Sequence, residues 1–174
     1  FFSQLEACGV EYFDFYLMHA MNANYYPKYC ACNAFAVARQ LKEEGYIRHI
    51  GISFHDKPAL LEQILTEQPD IEVVQIQFNY ADYDSPSVES RVLYEICRRF
   101  QKPVIVMEPV RGGALANLPP QAAEAFAGME GSPAGYALRF AASFAGVCMV
   151  LSGMSDPAQM EENLGLFRNF RALS

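Results

Sequence analysis

The chain has 174 residues, of which 52% are hydrophobic, and its 13 basic and 20 acidic side chains give a formal net charge of −7. An acidic chain without a basic cluster disfavours nucleic acid and anionic membranes as partners. No apolar run approaches the about 20 residues that cross a bilayer, and the start shows no signal-peptide pattern. We expect a cytoplasmic protein with a single domain over residues 1–174.

The cysteines also favour a reducing cytoplasm. They are an odd number in a chain of ordinary size, which argues against a disulfide framework. Two of them, Cys30 and Cys32, stand close together but are too few to form a metal site, and we predict none. The five are Cys8, Cys30, Cys32, Cys97 and Cys148.

The first nine residues are typical of the last turns of a helix that Gly9 closes. They lack an initiator methionine, so the sequence starts inside an element. We infer a fragment, or a chain whose earlier part has been lost.

A short, mostly apolar run from Tyr12 to His19 predicts a strand that is buried on both faces and ends on a histidine. The segment from Ala20 to Asn33 has no helical period and is predicted to be a long loop. Apolar spacing then predicts a helix from about Asn33 to Glu44, which Gly45 ends.

Four further strands are predicted, each followed by helical sequence. The strands are Tyr46–Ser53, Val73–Phe78, Pro103–Glu108 and Val147–Leu151. The helices are Lys57–Thr66 with Asp56 as its N-cap, Val88–Phe100, a short helix Gln121–Met129, a helix from Ser132 as N-cap to about Ala142, and Ala158–Phe167. This alternation indicates parallel strands with crossover helices, in a barrel or a doubly wound open sheet. No G-x-G-x-x-G follows any strand, so the usual dinucleotide fingerprint of the open sheet is missing.

Polar residues and one glycine stand at or just past the C-terminal ends of these strands. They are His19, Ser53, Gln75, Gln77, Asn79, Glu108, Ser152 and Gly153. In a closed barrel these positions meet at one mouth, where active sites lie. An imidazole there can hydrogen-bond to a substrate at neutral pH, since its ordinary pKa is about 6.5. Taken alone, a single histidine is more often a core residue bonded to a backbone carbonyl.

Five segments together resemble the aldo-keto reductase family, in its order and at its spacing. They are D-F-Y-L-M-H at 14–19, I-R-H-I-G-I-S at 47–53, V-V-Q-I-Q-F-N-Y at 73–80, V-M-E-P-V-R-G-G at 106–113 and S-G-M-S-D-P-A-Q-M-E-E-N-L at 152–164. The resemblance implies a parallel (β/α)8 TIM barrel, of which this chain supplies about strands 4 to 8 with their helices. It also implies a nicotinamide cofactor at the C-terminal mouth.

The resemblance implies roles for four strand residues. His19 matches the tetrad histidine, which with a tyrosine proton donor holds the substrate carbonyl and stabilises the negative charge that hydride delivery builds on oxygen. Ser53 and Gln75 match the residues that clamp the nicotinamide carboxamide. Met107 stands where many members stack a tyrosine on the nicotinamide, and its sulfur can pack on a ring face.

The rest of the cofactor is implied to lie on two later loops. The loop over the pyrophosphate would comprise Glu108, Pro109, Val110, Gly112 and Gly113, whose glycines let backbone approach phosphate. The adenosine-ribose end would contact Gly153, Met154, Ser155, Gln159, Glu162 and Asn163. Members that hold a 2′-phosphate often have an arginine near Gln159. None is present here, so NADP and NAD both stay open.

Phe54 stands where many relatives have asparagine. The combination I-S-F-H with M-E-P-V-R-G-G resembles the subgroup whose barrel precedes a cysteine-rich, ferredoxin-like iron–sulfur tail. These 174 residues contain no such tail, so an iron–sulfur cluster is implied only for a missing C-terminal tail. We interpret His49 and His55 as structural or solvated.

Structural interpretations stay open for several of the other residues. Gln75 and Gln77 alternate with apolar neighbours, so one of them could simply point outward. Gly112 and Gly113 could form only a turn. Glu108 could be a general base, but capping a helix or ordering its loop is at least as good an explanation.

The resemblance implies an NAD(P)H-dependent oxidoreductase that reduces a small aldehyde or ketone to an alcohol. The family's tyrosine, lysine and aspartate lie on its first three strands, and Tyr25, Tyr26 and Tyr29 lie in no matching motif. We therefore predict that this fragment alone is inactive. Two exposed apolar edge strands would favour self-association. The alternatives are a non-catalytic nucleotide-binding half-barrel or regulatory module, and a different barrel enzyme with Glu108 as its base.

Overall fold

The computed structural model describes residues 1–126 and 131–173. The strands within these ranges are β1 (Phe13–Met21), β2 (Ile47–Phe54), β3 (Val73–Gln77), β4 (Val104–Met107) and β5 (Val147–Val150). The helices are α1 (Phe2–Cys8), α2 (Tyr26–Ala31), α3 (Ala34–Glu43), α4 (Pro58–Glu67), α5 (Ser90–Arg99), α6 (Pro120–Glu124), α7 (Pro133–Ala142) and α8 (Pro157–Arg168).

The five strands form one sheet whose order follows the chain, β1-β2-β3-β4-β5. β2 is parallel to both β1 and β3. Helical sequence separates each strand from the next, so the predicted alternation of parallel strands and crossover helices is confirmed. The single-domain interpretation stays a prediction. By its internal contacts the chain divides into two compact units: unit 1 is Phe1–Ile76 with Val92–Val104, and unit 2 is Gln77–Arg91 with Ile105–Ser174.

The core of unit 1 contains β2 and the inward faces of α3 and α4. β2 buries Ile47, Ile50, Ile52 and Phe54, all at most 3% exposed. The helices bury Phe35, Ala38, Leu41, Leu61, Ile64 and Leu65 at the three- and four-residue spacings of amphipathic helices. This apolar set holds β2 in place, and with it the C-terminal residues of that strand.

Gly51 allows β1, β2 and β3 to approach one another closely. A Cβ at this position would lie 2.4 Å from Leu17 Cδ2 and 2.7 Å from the Val73 carbonyl oxygen. Both distances are well inside van der Waals contact, and the second involves backbone that cannot rotate away. Only glycine therefore fits at the centre of β2.

Unit 2 has an aromatic core at the end of β3. Phe78 is fully buried, with its ring stacked on Phe140 at 5.8 Å between centroids and edge-on to Phe144 at 4.8 Å. Tyr83 packs edge-on against Phe78 at 5.6 Å. These aromatic pairs attach α7 and the loop after β3 to a common centre.

The prediction of a doubly buried first strand is wrong. β1 continues two residues past His19, and only Met18 and Met21 are buried among its nine residues. β1 is the first strand in the sheet order and pairs with β2 alone. An apolar run in the sequence indicates that a strand could bury its side chains. It does not show whether other elements cover both faces of that strand.

The prediction of a structureless loop from Ala20 to Asn33 is also wrong, because α2 lies within it. Tyr26 is 6% exposed, packs edge-on against Phe35 at 6.0 Å and donates a 2.5 Å hydrogen bond from its hydroxyl to Glu67 Oε2. Anchoring by one tyrosine stabilises a six-residue helix that is too short to show a period.

The prediction that Asp56 caps the fourth helix is wrong as well. The N-cap of α4 is Lys57, and it makes no side-chain capping bond. The Asp56 carboxylate instead accepts 2.7 Å hydrogen bonds from the N–H groups of Lys57 and Ala23, which ties the loop after β1 to the loop after β2. The predicted short helix 121–129 corresponds to α6, and its last three residues lie outside the described residues.

Candidate functional site

His19 and Ser53 lie together near the C-terminal ends of β1 and β2 in unit 1. Ser53 Oγ is 3.4 Å from His19 Nδ1 and accepts a 2.9 Å hydrogen bond from the Ala20 N–H. Ser53 is 1% exposed, whereas His19 is exposed. A buried hydroxyl on one strand therefore contacts a solvent-accessible imidazole on its neighbour.

The pairing of β1 with β2 is irregular around His19. The pairing of β1 with β2 shifts register between Met18 and Met21, and Ala20 has a φ of 53°, which is uncommon for a residue with a side chain. The Tyr29 hydroxyl donates a 2.9 Å hydrogen bond to the His19 carbonyl oxygen. Bulges recur beside active sites because the extra residue re-aims a side chain.

His55 is the second imidazole at this end of unit 1. Its ring centroid is 6.4 Å from that of His19, and the backbone N–H of His55 donates a 2.9 Å hydrogen bond to the Met21 carbonyl. Burial, and to a lesser degree the positive charge of His19, lower the pKa of His55 below its ordinary value. The neutral form of His55 is therefore favoured.

Gln75 is the third predicted residue in unit 1. It stands opposite Ser53 in the register of β2 and β3, and its side chain is half-buried. The structure thus brings His19, Ser53 and Gln75 onto three successive strands, with Ser53 between its two neighbours.

Unit 2 contains a cleft of about 470 Å³ between two loops that are about 40 residues apart in the chain. Its walls include the loop after β4, the loop after β5, and the starts of α7 and α8. Ten residues predicted to bind the cofactor line this cleft: Glu108, Pro109, Val110, Gly112, Gly113, Gly153, Ser155, Gln159, Glu162 and Asn163. Met107 and Met154 are outside the lining; Met107 is half-buried and Met154 is 42% exposed.

The loop after β4 has an unusual backbone. Glu108, Arg111, Gly112 and Gly113 all have positive φ, at 56°, 51°, 59° and 91°. Within the loop, the Arg111 N–H bonds to the Glu108 carbonyl and the Gly113 N–H to the Val110 carbonyl. Successive backbone N–H groups in a turn can form a concave surface that binds anions, although two N–H groups of this loop, those of Arg111 and Gly113, already donate within it. Glu108 itself is exposed, and its carbonyl helps to order this loop.

The opposite wall of the cleft is ordered by hydrogen bonds around the start of α8. Asp156 caps this helix by accepting from the Gln159 N–H at 2.9 Å. Gln159 Oε1 accepts 2.8 Å and 3.3 Å bonds from the N–H and hydroxyl of Ser155. Asn163 Nδ2 donates to Ser152 Oγ at 3.2 Å. The polar groups of this wall are therefore held in defined positions.

Ser132 and Glu162 join the start of α7 to α8. Ser132 Oγ accepts a 2.9 Å capping bond from the Gly135 N–H and donates to Glu162 Oε1. Both residues line the cleft. The sequence pattern predicted Ser132 as a helix cap, but its contact with Glu162 needs the folded chain.

A buried carboxylate at Asp82, missed in the sequence, anchors the glycine-containing loop. Asp82 is 1% exposed, and its Oδ2 accepts 2.7 Å and 2.9 Å bonds from Gln77 Nε2 and Asn79 Nδ2. Its Oδ1 lies 3.3 Å from Arg111 Nε, and Asn79 Nδ2 also bonds the Glu108 carbonyl at 3.0 Å. An N-Y-A-D sequence in a polar loop carries no signal that its aspartate is buried, so sequence reasoning had little means to find it.

Three further observations concern metal sites, membrane spans and the cysteines. No group of three or more His, Cys, Asp or Glu side chains is placed to hold a metal ion in residues 1–126 and 131–173. None of the helices within the described part of the chain has the length and apolarity that a membrane span requires. All five cysteines are free thiols.

Comparison with known proteins gives one family. The model described as "Aldo/keto reductase family" matches residues 2–174. No curated protein sequence matches the chain.

Solved structures match over nearly the whole chain. The aldo-keto reductase AKR11C1 from Bacillus halodurans, in its holo form, superposes with a TM-score of 0.78 at 19% identity over 99% of this chain and 60% of its own. The thermostable aldo-keto reductase Tm1743, in complex with the inhibitor epalrestat, gives 0.75 at 20% identity over 98% and 59%. An aldo-keto reductase from Klebsiella pneumoniae in complex with NADPH gives 0.72 at 19% identity over 98% and 57%.

These likenesses concern the fold. The chain spans about 60% of the length of the solved structures that it matches. The prediction that it supplies part of a parallel (β/α)8 barrel is confirmed.

Proposed function

Since the chain belongs to the aldo/keto reductase family, we propose that it provides the carbonyl-polarising histidine and most of the cofactor site of an NAD(P)H-dependent reductase of small aldehydes or ketones. One observation carries the proposal. Two loops, each matched separately to cofactor contacts, line a single cleft in unit 2. A chance resemblance would give no reason for ten matched residues to border one cavity.

The residues of this cleft fit a dinucleotide. Its volume of about 470 Å³ falls in the range of about 300–1,000 Å³ usual for small-molecule sites. Gly112 and Gly113 present backbone without side chains, which suits close approach to phosphate. Ser155, Gln159 and Asn163 offer polar groups for ribose and adenine. When bound, the nicotinamide cofactor would supply the hydride.

His19 would then act on the substrate carbonyl. Its exposed imidazole can donate a hydrogen bond to an oxygen on which negative charge develops. Ser53 and Gln75, on the next two strands, would orient the carboxamide of the nicotinamide. The five free cysteines support a reducing, cytoplasmic location.

We expect these 174 residues alone to show no turnover, because the family's tyrosine proton donor belongs to strands before those matched here. Three tyrosines of unit 1, Tyr16, Tyr26 and Tyr29, donate their hydroxyl groups to other residues. The Tyr29 hydroxyl bonds the His19 carbonyl and the Tyr16 hydroxyl bonds Gln4. Burial and the bond to Glu67 raise the pKa of Tyr26, which disfavours its ionisation.

A non-catalytic nucleotide-binding module is the second candidate, and the engaged tyrosines favour it. Both candidates predict nucleotide binding. Only the reductase predicts carbonyl turnover by a complete protein, meaning a chain that also contains the family's first three strands. Adding NADPH and a panel of small aldehydes to the complete protein therefore separates them.

A titration of the chain with NADPH and with NADH, followed by calorimetry, tests the proposal. We compare Gly113→Ala with Gly45→Ala, because the two glycines have φ values of 91° and 86° and neither Cβ would meet another atom within 4 Å. The backbone strain is therefore matched, at about 1 kcal/mol each. Only Gly113 lines the cleft.

The proposal predicts that the unsubstituted chain binds at least one of the two nucleotides. Gly113→Ala should weaken that binding about tenfold, which corresponds to about 1.4 kcal/mol, while Gly45→Ala should leave it unchanged. Absence of binding to both nucleotides, or equal losses in the two variants, would contradict it.

A further inference from the structure

Ser53 has a second role that the resemblance does not assign. The resemblance gives its hydroxyl to the nicotinamide carboxamide. The structure has the same hydroxyl bonded to the Ala20 N–H and within 3.4 Å of His19 Nδ1. Ser53 is 1% exposed, so water has little access to replace these contacts.

The hydrogen-bonding capacity of the Ser53 hydroxyl and its burial together indicate the direction of the two bonds. The hydroxyl oxygen has two acceptor positions and one hydrogen to donate. The Ala20 N–H can only donate, so it occupies an acceptor position on Oγ. The second acceptor position would also let Oγ accept from a protonated Nδ1, so the contact alone does not fix the direction. Ser53 is buried, however, and within residues 1–126 and 131–173 its hydroxyl hydrogen meets no acceptor other than Nδ1. Because a buried donor without a partner is costly, donation from Oγ to an unprotonated Nδ1 is favoured.

We propose that Ser53 is a positioning residue for His19: it donates to Nδ1 and thereby selects the neutral tautomer in which the proton is on Nε2. The second ring nitrogen of a histidine generally sets the state of the first in this way. In the chain described here, residues 1–126 and 131–173, Ser53 is the only side chain hydrogen-bonded to the His19 ring. The Nε2–H therefore remains available as a donor.

The surrounding backbone makes this selection rigid. Within the register shift between Met18 and Met21 the Ala20 N–H bonds Ser53 Oγ, and the Tyr29 hydroxyl bonds the His19 carbonyl at 2.9 Å. Both contacts restrict the residue that carries the imidazole. Ser53 thus acts on His19 in two ways. Its hydroxyl selects the tautomer of the ring, and its bond to the Ala20 N–H restricts the backbone next to His19.

The inference rests on the proposed function, because it supplies the donor form of His19 that carbonyl polarisation needs. A buried serine on β2 would hold the reactive group on β1 in its working state before any ligand binds. The effect belongs to the free chain, so its test requires neither cofactor nor turnover.

Long-range ¹H–¹⁵N NMR of ¹⁵N-histidine-labelled chain measures the tautomer directly. Spectra are recorded about two pH units above the ordinary histidine pKa of about 6.5, where imidazole is neutral. His19→Gln identifies the His19 signals among those of the three histidines. The variants are Ser53→Ala and Ser53→Thr, with the exposed Ser3→Ala as control.

We expect a protonated Nε2 and an unprotonated Nδ1 in the unsubstituted chain. Ser53→Ala should shift the Nδ1 resonance toward protonated values, shift Nε2 in the opposite sense, and speed exchange of the Ala20 amide at least tenfold. Ser53→Thr retains the hydroxyl and should preserve both signatures, as should Ser3→Ala.

Two results would overturn the inference: a proton on Nδ1 in the unsubstituted chain, or His19 resonances in Ser53→Ala that match those of the unsubstituted chain. Should Ser53→Ala not fold, Ser53→Cys keeps the side-chain size with a weaker donor and must show the same shifts in smaller measure. Failure of the proposed function would instead appear as absence of nucleotide binding, with the His19 tautomer unaffected.

Discussion

The polar sites of units 1 and 2 are formed by different structural elements. In unit 1, side chains at the ends of paired strands are set by sheet register, and Ser53 stands between His19 and Gln75 because β2 stands between β1 and β3. In unit 2, the cleft is formed by loop backbone and helix starts, and its glycine-containing loop depends on a buried carboxylate. The two regions should therefore fail in different ways when they are perturbed.

The largest effect is expected in the sheet of unit 1. Gly51→Ala places a methyl group against Leu17 and the Val73 backbone and should lower the free energy of unfolding by about 3 kcal/mol. Gly165→Ala, in α8 with open space around its Cβ, is the control and should stabilise by about 0.5–1 kcal/mol. Urea denaturation measures both. Equal stabilities would show that the close approach of the three strands is not a constraint.

The next effect tests how unit 2 holds its loop. Asp82→Asn removes the charge that pairs with Arg111 and turns one acceptor into a donor, which should cost about 2 kcal/mol of stability and weaken nucleotide binding. Asp84→Asn is the matched control, because Asp84 pairs with Arg91 at the surface and should contribute less than about 1 kcal/mol. Denaturation and calorimetry report the two effects. An unchanged nucleotide affinity in Asp82→Asn would show that nucleotide binding by this loop does not depend on Asp82.

The edge strands give a smaller effect. β5 is the last strand of the sheet, and its Met149 is 39% exposed. The predicted self-association would pair such an edge with another copy. Met149→Lys should lower the self-association constant of the chain about fivefold, or about 1 kcal/mol. Met160→Lys, on α8 at 50% exposure, should leave it unchanged. Light scattering across a concentration series distinguishes the two. Equal behaviour would place self-association elsewhere.

The smallest effect is a pH dependence in unit 1. Burial and the charge of His19 lower the pKa of His55 in the folded state, so the unfolded state binds more protons as the pH falls past about 6.5. The free energy of unfolding should therefore decrease as the pH falls from 7 to the lowered pKa of His55. In His55→Gln this decrease should be smaller. The His55 ring protons should titrate with a midpoint below the ordinary value. A midpoint at or above that value would contradict the account of this pair.

Much of the fold could be predicted because hydrophobic runs and glycine stops mark it locally. The five strands and the helices after them occur close to the predicted positions. Where the predictions were wrong, the cause is tertiary. The helix α2 depends on Tyr26 packing against Phe35, and the poor burial of β1 depends on which strands stand beside it.

The candidate site divides in the same way. Motif residues such as His19 and Gly113 could be predicted from the sequence, because the residue type and the surrounding motif indicate their chemistry. Asp82 and the pairing of Ser132 with Glu162 could not, since a buried carboxylate and an exposed one are written with the same letter. The conformation of Ala20, at a φ of 53°, likewise accompanies a register shift and a bond to Ser53 that the sequence does not show. Contacts of this kind form only when segments that are distant in the sequence pack together in the folded chain.

Mapping NADPH onto the chain by NMR tests the central claim most directly. Backbone amide shifts are followed during a titration of the ¹⁵N-labelled chain. We predict saturable shifts in residues 109–113 and 153–163, the two loops that line the cleft of unit 2, and none in α3. Absence of saturable shifts, or shifts confined to residues outside both loops, would contradict the account.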